Sequence, residues 1–143
     1  MTVRPATTDD LPHVARLRSI MRGQPTDSEA IADTFSQLIA SPHRVLLVCD
    51  TGSVLVGMAI VTLILRLPEK RAIIDELVVD PNSRGHSYGR QIIEACEKWA
   101  CDHGATSIML TSRPERVAAN RLYQSSGFER YETNVYRKQC GVL

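Results

Sequence analysis

The stretch that decides the fold is Ile73–Arg90, which reads IIDELVVDPNSRGHSYGR. Its first seven residues are mostly aliphatic and end at an Asp-Pro pair, which is typical of a buried strand followed by a turn. After Gly89, apolar residues recur at helical spacing until Gly104, where a helix is expected to end. A second short apolar run begins at Ser107. This strand, loop, helix and strand form a crossover unit, and such units join parallel strands.

The loop within this unit predicts an anion-binding site. The first amides of a helix have no intrahelical acceptor and lie at the positive end of the helix dipole, and here Arg84 and Arg90 add charge. The loop lacks both the Lys of the G-x-x-x-x-G-K-[ST] phosphate loop and the G-x-G-x-x-G spacing of dinucleotide-binding folds. From these residues alone, phosphate binding and a glycine-containing turn that binds nothing are about equally supported.

Outward from this unit, the pattern predicts one α/β (α+β) domain over residues 1–143, with the element order β-α-α-β-β-β-α-β-α-β-β. The predicted strands are 1–4, 45–49, 54–65, 72–79, 107–110, 128–131 and 133–137, and the predicted helices begin near Thr8, near Asp27 or Ser28, near Ser87 and at Pro114. We therefore expect a mixed, mostly antiparallel sheet with a parallel pair at its centre.

Composition and charge argue against several classes of function. The chain has 17 Lys and Arg against 16 Asp and Glu, a net charge of +1, which argues against a dedicated nucleic-acid or anionic-membrane partner. Its four cysteines and four histidines are scattered without metal-ligand spacing, so we expect reduced thiols and no metal. The start lacks the apolar core of a secretory signal, and Val54–Leu65 is shorter than the ~20 residues that span a bilayer. We expect a cytoplasmic protein.

Two segments resemble signatures of the GNAT superfamily of N-acetyltransferases. Residues 84–89, RGHSYG, resemble its [QR]-x-x-G-x-[GA] loop, and the preceding strand Ile74–Pro81 is similar to its I-x-x-L-x-V-x-P lead-in. About thirty residues later, Ala119–Phe128 is similar to the N-x-x-A/L-Y-x-x-x-G-F signature. The resemblance covers Met1–Lys138 and includes the element order. It departs at Ser87, where the family usually has Gly, so we expect weaker or slightly shifted cofactor binding.

The resemblance implies that acetyl passes from acetyl-CoA to a primary amine by direct attack in a ternary complex, without a metal. It implies that the cofactor is held by Leu77, Val78, Val79, Arg84, Gly85, His86, Ser87, Tyr88, Gly89, Arg90, Asn120 and Tyr123. The pantetheine arm is then expected between the strands at 77–79 and 107–110. Tyr123 is the implied acid for the CoA thiolate, since a phenol of pKa ~10 suits a thiolate of similar basicity. The alternative for Tyr123 is a core aromatic residue.

The acceptor amine must also lose a proton. A lysine-like amine of pKa ~10.4 is neutral about once in 2,500 molecules at pH 7, a cost of roughly 4.6 kcal/mol, whereas an α-amine at ~7.8 loses about 1 kcal/mol. Asp75 and Glu76 are candidate bases, and as neighbours on one strand they are expected to point to opposite faces. We favour Glu76. An ion pair with a neighbouring arginine is about equally supported for either carboxylate, because structural ion pairs also recruit carboxylates.

The acceptor itself is left open by the sequence. We expect Arg18, Arg22, Glu29, Asp33 and Tyr136 to frame its cleft, and their mixed charge fits a protein amine, a polyamine, an aminoglycoside or an amino acid. A non-catalytic acyl-CoA-binding sensor or interaction module and a nucleotide-binding protein are the rival functions. Exposed strand edges make a homodimer a further expectation.

Overall fold

The computed structural model describes residues 1–141. Its strands are β1 (Thr2–Pro5), β2 (Arg44–Asp50), β3 (Leu55–Leu65), β4 (Lys70–Val79) and β5 (Ala105–Met109). Its helices are α1 (Leu11–Arg22), α2 (Ser28–Ala40), α3 (Tyr88–Asp102) and α4 (Val117–Ser125), with short 3-10 turns at Thr8–Asp10 and Pro81–Ser83. The predicted order of elements is therefore correct as far as α4.

The five strands form one sheet in the order β1-β2-β3-β4-β5. Neighbouring strands are antiparallel except β4 and β5, which are parallel and pair from Lys70 with Ala105 to Ile73 with Met109. The crossover through α3 thus joins parallel strands, as the sequence predicts, and the predicted fold class is confirmed. Among the described residues the parallel pair lies at one edge of the sheet and not at its centre.

Local signals place the helix ends. The Asp27 carboxylate accepts a hydrogen bond from the Glu29 amide at the start of α2. Gly23 ends α1 in the left-handed conformation, with φ 68°, and its amide donates to the Ser19 carbonyl. The first helical turn begins at Thr8, near the predicted start, but its N-cap is Thr7, one residue before the predicted cap Thr8. The Asp10 carboxylate accepts a hydrogen bond from the Thr7 amide at 2.8 Å.

Two apolar clusters cover the two faces of the sheet. One packs α3 against the sheet through Ile92, Cys96 and Ala100, all fully buried. The other packs α1 and α2 against the opposite face, with Leu17 and Phe35 at its centre. Burial of such side chains contributes about 1.5–3 kcal/mol each. The sheet is therefore fixed on both sides, and its β4 end is held in place for the site described below.

A bulge interrupts β4 at Glu76. Asp75 pairs with Ile60 of β3, but Val78 pairs with Met58, so Ala59 stands opposite two residues of β4. Glu76 has φ 51°, in the left-handed region that residues other than glycine seldom adopt. The bulge bends β4 just before its end.

The predicted strands at 128–131 and 133–137 are wrong. From Phe128 to residue 141 the structure contains neither helix nor strand. Phe128 packs against the α3 side of the sheet, but Tyr131, Val135 and Tyr136 are 79%, 72% and 88% exposed. These residues have strand-forming side chains, yet among the described residues they have no neighbouring strand to pair with. Local preference alone does not form a strand, because isolated strands need pairing.

Candidate active site

The main cleft of the molecule opens where β4 ends, between the end of α1, the loop into α3, and α4. Its volume is about 1190 Å³. It is lined by Ile20, Met21, Arg22, Gln24, Leu77, Val78, Val79, Pro81, Ser83, Arg84, Gly85, Ser87, Tyr88, Gly89, Arg90, Arg113, Glu115, Arg116, Ala118, Ala119, Leu122 and Tyr123. Of the residues predicted to hold the cofactor, only His86 and Asn120 are missing from this lining. The cleft is large enough for a nucleotide-sized ligand.

Unpaired main-chain donors line the loop between β4 and α3. Within residues 1–141, the amides from Arg84 to Arg90 donate to no protein acceptor, whereas the next amide, of Gln91, donates to the Ser87 carbonyl at 3.1 Å. These amides stand at the N-terminus of a 15-residue helix, where partial positive charge accumulates. The loop therefore presents free hydrogen-bond donors and partial positive charge, which together bind a phosphate or diphosphate.

The start of this loop is anchored to α1. The Asp80 carboxylate accepts from the Asn82 amide at 3.0 Å and from the Arg16 guanidinium at 2.8 Å. Both interactions favour the ionised carboxylate, and Arg16 is the main reason that the pKa of Asp80 lies below its usual value. The anchor fixes the position from which the donor loop begins.

Ser87 precedes α3 in a left-handed conformation, with φ 61° and ψ 23°. Glycine adopts this conformation without strain, while other residues pay about 1–2 kcal/mol. The geometry explains why a glycine is the usual residue at this position in the family that the sequence resembles. Gly85 has φ 88° and open space around its Cα, so it supplies the same freedom earlier in the loop.

An open slot separates β4 from β5 beyond their last pair. That pair is Ile73 with Met109, so β4 continues from Ile74 to Val79 without a partner on its β5 side. Leu77, Val78 and Val79 form the wall of the main cleft in this slot. An extended ligand lying there would meet the exposed main-chain edge of β4, in the manner of an added strand.

Tyr123 stands on the α4 wall of the main cleft. Its side chain is 6% exposed and its ring packs edge-on against Phe128, at 6.3 Å between centroids. Burial raises the pKa of the Tyr123 phenol, and the positive charge of Arg116 offsets part of that rise. The phenol is therefore protonated throughout the neutral range, which a proton donor requires.

The two candidate bases lie together outside the lining of the main cleft. Glu76 forms an ion pair with Arg18 of α1, and Asp75 is exposed. Asp75 stands opposite Ile60, which packs on the α1 side of the sheet, so both carboxylates belong to that side. The prediction that they point to opposite faces is wrong, because the bulge at Glu76 breaks the alternation of side chains.

The side chain of Asn120 forms hydrogen bonds within the protein. Its side-chain nitrogen donates to the carbonyls of Arg113 and Arg116, at 2.9 and 2.8 Å. It thereby holds the turn that leads into α4 and that carries both arginines to the main cleft. His86 stacks on Tyr88, with ring centroids 5.3 Å apart.

The charge of the main cleft is mostly positive. Five arginines line it, Arg22, Arg84, Arg90, Arg113 and Arg116, against the single acidic residue Glu115. The sequence offers two interpretations of Arg113 and Arg116, attraction of the cofactor's adenosine phosphate or ordinary solvated helix charges, and it favours the second. Their clustering before the tyrosine signature is the signal that supports the first. Of the five residues expected around the acceptor, Arg22 lines this cleft, whereas Arg18, Glu29, Asp33 and Tyr136 do not.

Comparison with known proteins identifies the family. A profile of the Acetyltransferase (GNAT) family matches residues 14–128. The chain is 28% identical over 140 residues to an aminoglycoside N(6')-acetyltransferase type 1 of Stenotrophomonas maltophilia, covering 94% of this chain and 90% of that protein. It is 28% identical over 68 residues to the enzyme of that name from Salmonella typhimurium, covering 47% of each, so this match spans about half the length of that relative.

The same fold occurs in solved structures. The aminoglycoside N-acetyltransferase AAC(6')-Iy in complex with CoA superposes with a TM-score of 0.85, at 21% identity, covering 97% of this chain and 95% of that one. The chain belongs to the GNAT acetyltransferase family. The family predicted from the two signatures is therefore confirmed, and with it the class of enzyme, an acetyl-CoA-dependent N-acetyltransferase.

No helix in residues 1–141 is long and apolar enough to cross a membrane.

Proposed function

We propose that this protein transfers the acetyl group of acetyl-CoA to the primary amine of a small molecule, by direct attack within a ternary complex. The observation that carries the proposal is the set of unpaired amides from Arg84 to Arg90 at the mouth of the slot, on the same cleft as the Tyr123 ring. A diphosphate bound to these amides leaves the pantetheine arm directed along β4 toward Tyr123.

Two arginines of the loop have different parts in holding the diphosphate. Arg90 is tethered to α4, since its guanidinium donates to the Ser125 hydroxyl at 2.7 Å. Arg84 forms no ion pair among the described residues and is free to turn toward an anion. Arg113 and Arg116 bring further positive charge to the α4 side of the cleft. From there they can bind the 3′-phosphate of CoA.

The reaction balances with groups that the chain supplies. The neutral amine attacks the thioester carbon, its oxygen is stabilised by main-chain donation near Val78, and the carbon–sulfur bond then breaks. The departing thiolate takes the phenolic proton of Tyr123, and the ammonium proton leaves through water to a carboxylate. Glu76 is our choice for that carboxylate, since Arg18 fixes its position beside α1. Asp75 is the alternative.

Small-molecule amines are the acceptors to test first, because the relatives above carry the name aminoglycoside N(6')-acetyltransferase. The five arginines of the main cleft repel a highly cationic acceptor unless bound CoA neutralises their charge. The expected order of binding is therefore acetyl-CoA first and amine second.

The test measures CoA thiol release with an aminoglycoside, a polyamine, an amino acid and a peptide N-terminus as acceptors. Amine-dependent release with intersecting double-reciprocal lines supports the proposal, while parallel lines would indicate a covalent acetyl-enzyme. If acetyl-CoA binds in calorimetry and no amine stimulates release, the protein is a binding module and not an enzyme. Binding of ATP without binding of CoA would remove the cofactor assignment.

A further inference from the structure

The ion pair between Arg18 and Glu76 lies beside the main cleft. Glu76 directly precedes Leu77, which lines the cleft from β4. Arg18 stands one helical turn before Arg22, which lines the cleft from α1, and residues at this spacing share one face of a helix. The side chains of Arg18 and Glu76 are 28% and 30% exposed, so a ligand at this end of the cleft can contact both charged groups.

Both partners of the ion pair keep unused hydrogen-bonding groups. Among the described residues, the Arg18 guanidinium donates through Nη1 to Oε1 of Glu76, and its Nε and Nη2 groups donate to no protein acceptor. Oε2 of Glu76 accepts no hydrogen bond within residues 1–141. None of these unpartnered atoms is buried, so solvent and ligands reach them. Free guanidinium donors fit a carboxylate, and a free carboxylate oxygen fits an ammonium group.

Rigid elements hold the two charged groups in place. Arg18 follows Leu17, which is fully buried between α1 and the sheet. Glu76 lies in the bulge of β4, between Asp75, which pairs with Ile60, and the next paired residue, Val78. Its φ of 51° is costly for a residue with a Cβ, and such conformations occur preferentially at functional sites. A site built on a helix and a strand positions a ligand more precisely than a site on loops.

The charges at this end of the cleft cancel. Asp75 is exposed on the same side of the sheet as Glu76, and Arg22 adds a positive charge from α1 beside Arg18. Two positive and two negative side chains therefore lie close together. A polycationic acceptor gains no net attraction from such a set, whereas an acceptor that carries one amine and one carboxylate matches both signs.

We propose that the acceptor is an α-amino acid, whose carboxylate binds the free donors of Arg18 and whose amine binds Oε2 of Glu76. This inference rests on the transferase function proposed above and names the substrate class of that site. A single carbon separates the amine from the carboxylate in an α-amino acid, so the two groups lie side by side, as do the guanidinium and carboxylate that receive them. Both new contacts form while the original ion pair is kept. Arg18 is thus a specificity-determining residue.

The chemical steps of the transfer stay balanced with this acceptor. The neutral α-amine forms a carbon–nitrogen bond to the acetyl carbon, the carbon–sulfur bond breaks, and the thiolate takes the phenolic proton of Tyr123. The proton lost by the new ammonium passes through water to Glu76, and Tyr123 regains a proton from solvent. The products are an N-acetyl amino acid and CoA. Since acetylation removes the charge of the amine, the product loses its ionic contact with Glu76, which favours release.

Paired acceptors test the inference: each common amino acid is compared with its amide in the thiol-release assay. The amide keeps the side chain and the amine but lacks the carboxylate charge. Its amine is less basic, so without carboxylate recognition the amide would react at least as fast. We expect kcat/KM to be about 10- to 100-fold higher for the best amino acid than for its amide, the range for hydrogen bonds between charged groups.

Arg18→Gln should bring this ratio to within about threefold of one. A displacement of Glu76 in this variant lowers the rates of both acceptors alike and cancels in the ratio, which separates recognition of the carboxylate from a structural effect. Arg18→Lys keeps the charge but loses the planar fork, so it should give an intermediate ratio. Arg66→Gln, at an exposed arginine in the turn between β3 and β4, is the matched control and should keep the wild-type ratio.

Three results would overturn the choice of acceptor while amine-dependent release upholds the transferase function. They are amides that equal their amino acids in the wild-type protein, a ratio unchanged in Arg18→Gln, and an aminoglycoside or polyamine with a higher kcat/KM than every amino acid. If acetyl-CoA binds and no amine stimulates thiol release, the proposed function and this inference both fail.

Discussion

Tyr123 combines a buried ring with a place on the wall of the main cleft. If it donates the proton to the leaving thiolate, Tyr123→Phe keeps the packing against Phe128 and loses only the donor. We expect kcat to fall by about 10²-fold, the lower end of the range for general acids, with the KM for acetyl-CoA changed by no more than about twofold. Steady-state thiol release measures both. Tyr136→Phe, at an exposed tyrosine, is the control, and a kcat for Tyr123→Phe within about threefold of wild type would contradict the role.

The pH dependence of the reaction follows from the same phenol. Burial raises the pKa of Tyr123, and the acid form is the active one, so activity is retained below that pKa and lost above it. The limb of the kcat profile that belongs to Tyr123 should therefore lie above about pH 10. A fall in kcat between pH 7 and 9 that disappears in Tyr123→Phe would show that the phenol is more acidic than its burial implies.

Ser87 is the residue at which the loop departs from the family pattern. Ser87→Gly relieves a left-handed conformation that costs about 1–2 kcal/mol, partly offset by the ~0.5–1 kcal/mol of extra chain entropy. We expect a small gain in the free energy of unfolding and several-fold tighter CoA binding, measured by denaturant titration and calorimetry. Gly85→Ala, at φ 88°, is the opposite case and should destabilise the protein. Weaker CoA binding in Ser87→Gly would mean that the serine hydroxyl itself holds the diphosphate.

Asp75 and Glu76 show where residue-level prediction from the sequence stops. The alternation rule assigned them to opposite faces, and the bulge placed both on the α1 side. The position of a bulge depends on how β3 and β4 pair over their whole length. Neither the Asp75-Glu76 pair nor the hydrophobic pattern around it indicates that position. The arginine partner of Glu76 lies 58 positions away in sequence, so the pair emerged only from the fold.

At the scale of elements, periodicity identified the four helices and five strands of the described residues, with ends that differ from the prediction by at most three residues. Capping residues and glycines fixed those ends, and they act locally. The predicted strands at 128–137 failed because a strand is defined by its neighbour. The loop from Arg84 to Arg90 was located correctly for a related reason: a strand, a glycine-containing turn and a helix are all local patterns.

The contact between β3, β4 and α3 depends on Gly57. A Cβ at this position would lie 2.9 Å from the Val78 carbonyl oxygen and 2.7 Å from the Ile92 side chain. Gly57→Ala should therefore cost about 1–3 kcal/mol of unfolding free energy, because a backbone atom cannot move aside cheaply. Gly89→Ala is the matched control, since its close contact is the flexible tip of Leu122. Equal effects of the two substitutions in denaturant titrations would contradict this account.

At the scale of the whole molecule, one ionic cluster ties the start of the chain to the sheet and to the turn before α1. In this cluster Arg4 pairs with Asp10 at 2.8 Å and with Asp50 at 3.0 Å. A separate ion pair, Arg16 with Asp80 at 2.8 Å, ties α1 to the end of β4. The hydrogen bond from Arg4 is the main reason that the pKa of Asp10 is lowered, although burial opposes it. The cluster joins elements that are far apart in the chain, and sequence patterns gave no sign of it.

Acid should weaken the fold through these carboxylates. A carboxylate whose pKa is lowered in the folded state adds stability that is full above its unfolded pKa of ~3.9 and is lost as the pH falls through the folded value. The free energy of unfolding should thus be steady above about pH 5 and decline below about pH 4. Asp10→Asn should lower stability at pH 7 and flatten that decline, and Asp9→Asn, at an exposed neighbour, is the control. A decline of the same steepness in Asp10→Asn would exclude Asp10 as a cause.

The distribution of the four thiols affects how turnover is recorded. Cys49 and Cys96 are buried, and burial raises the pKa of Cys96 to about 12, while Cys101 and Cys140 are exposed. A thiolate is the reacting species, so an aromatic disulfide reagent that reports free CoA also consumes the two surface sulfurs of the enzyme. Each assay therefore begins with a colour change from two thiols per chain, which is independent of acetyl transfer. Replacing Cys101 and Cys140 by serine removes this background.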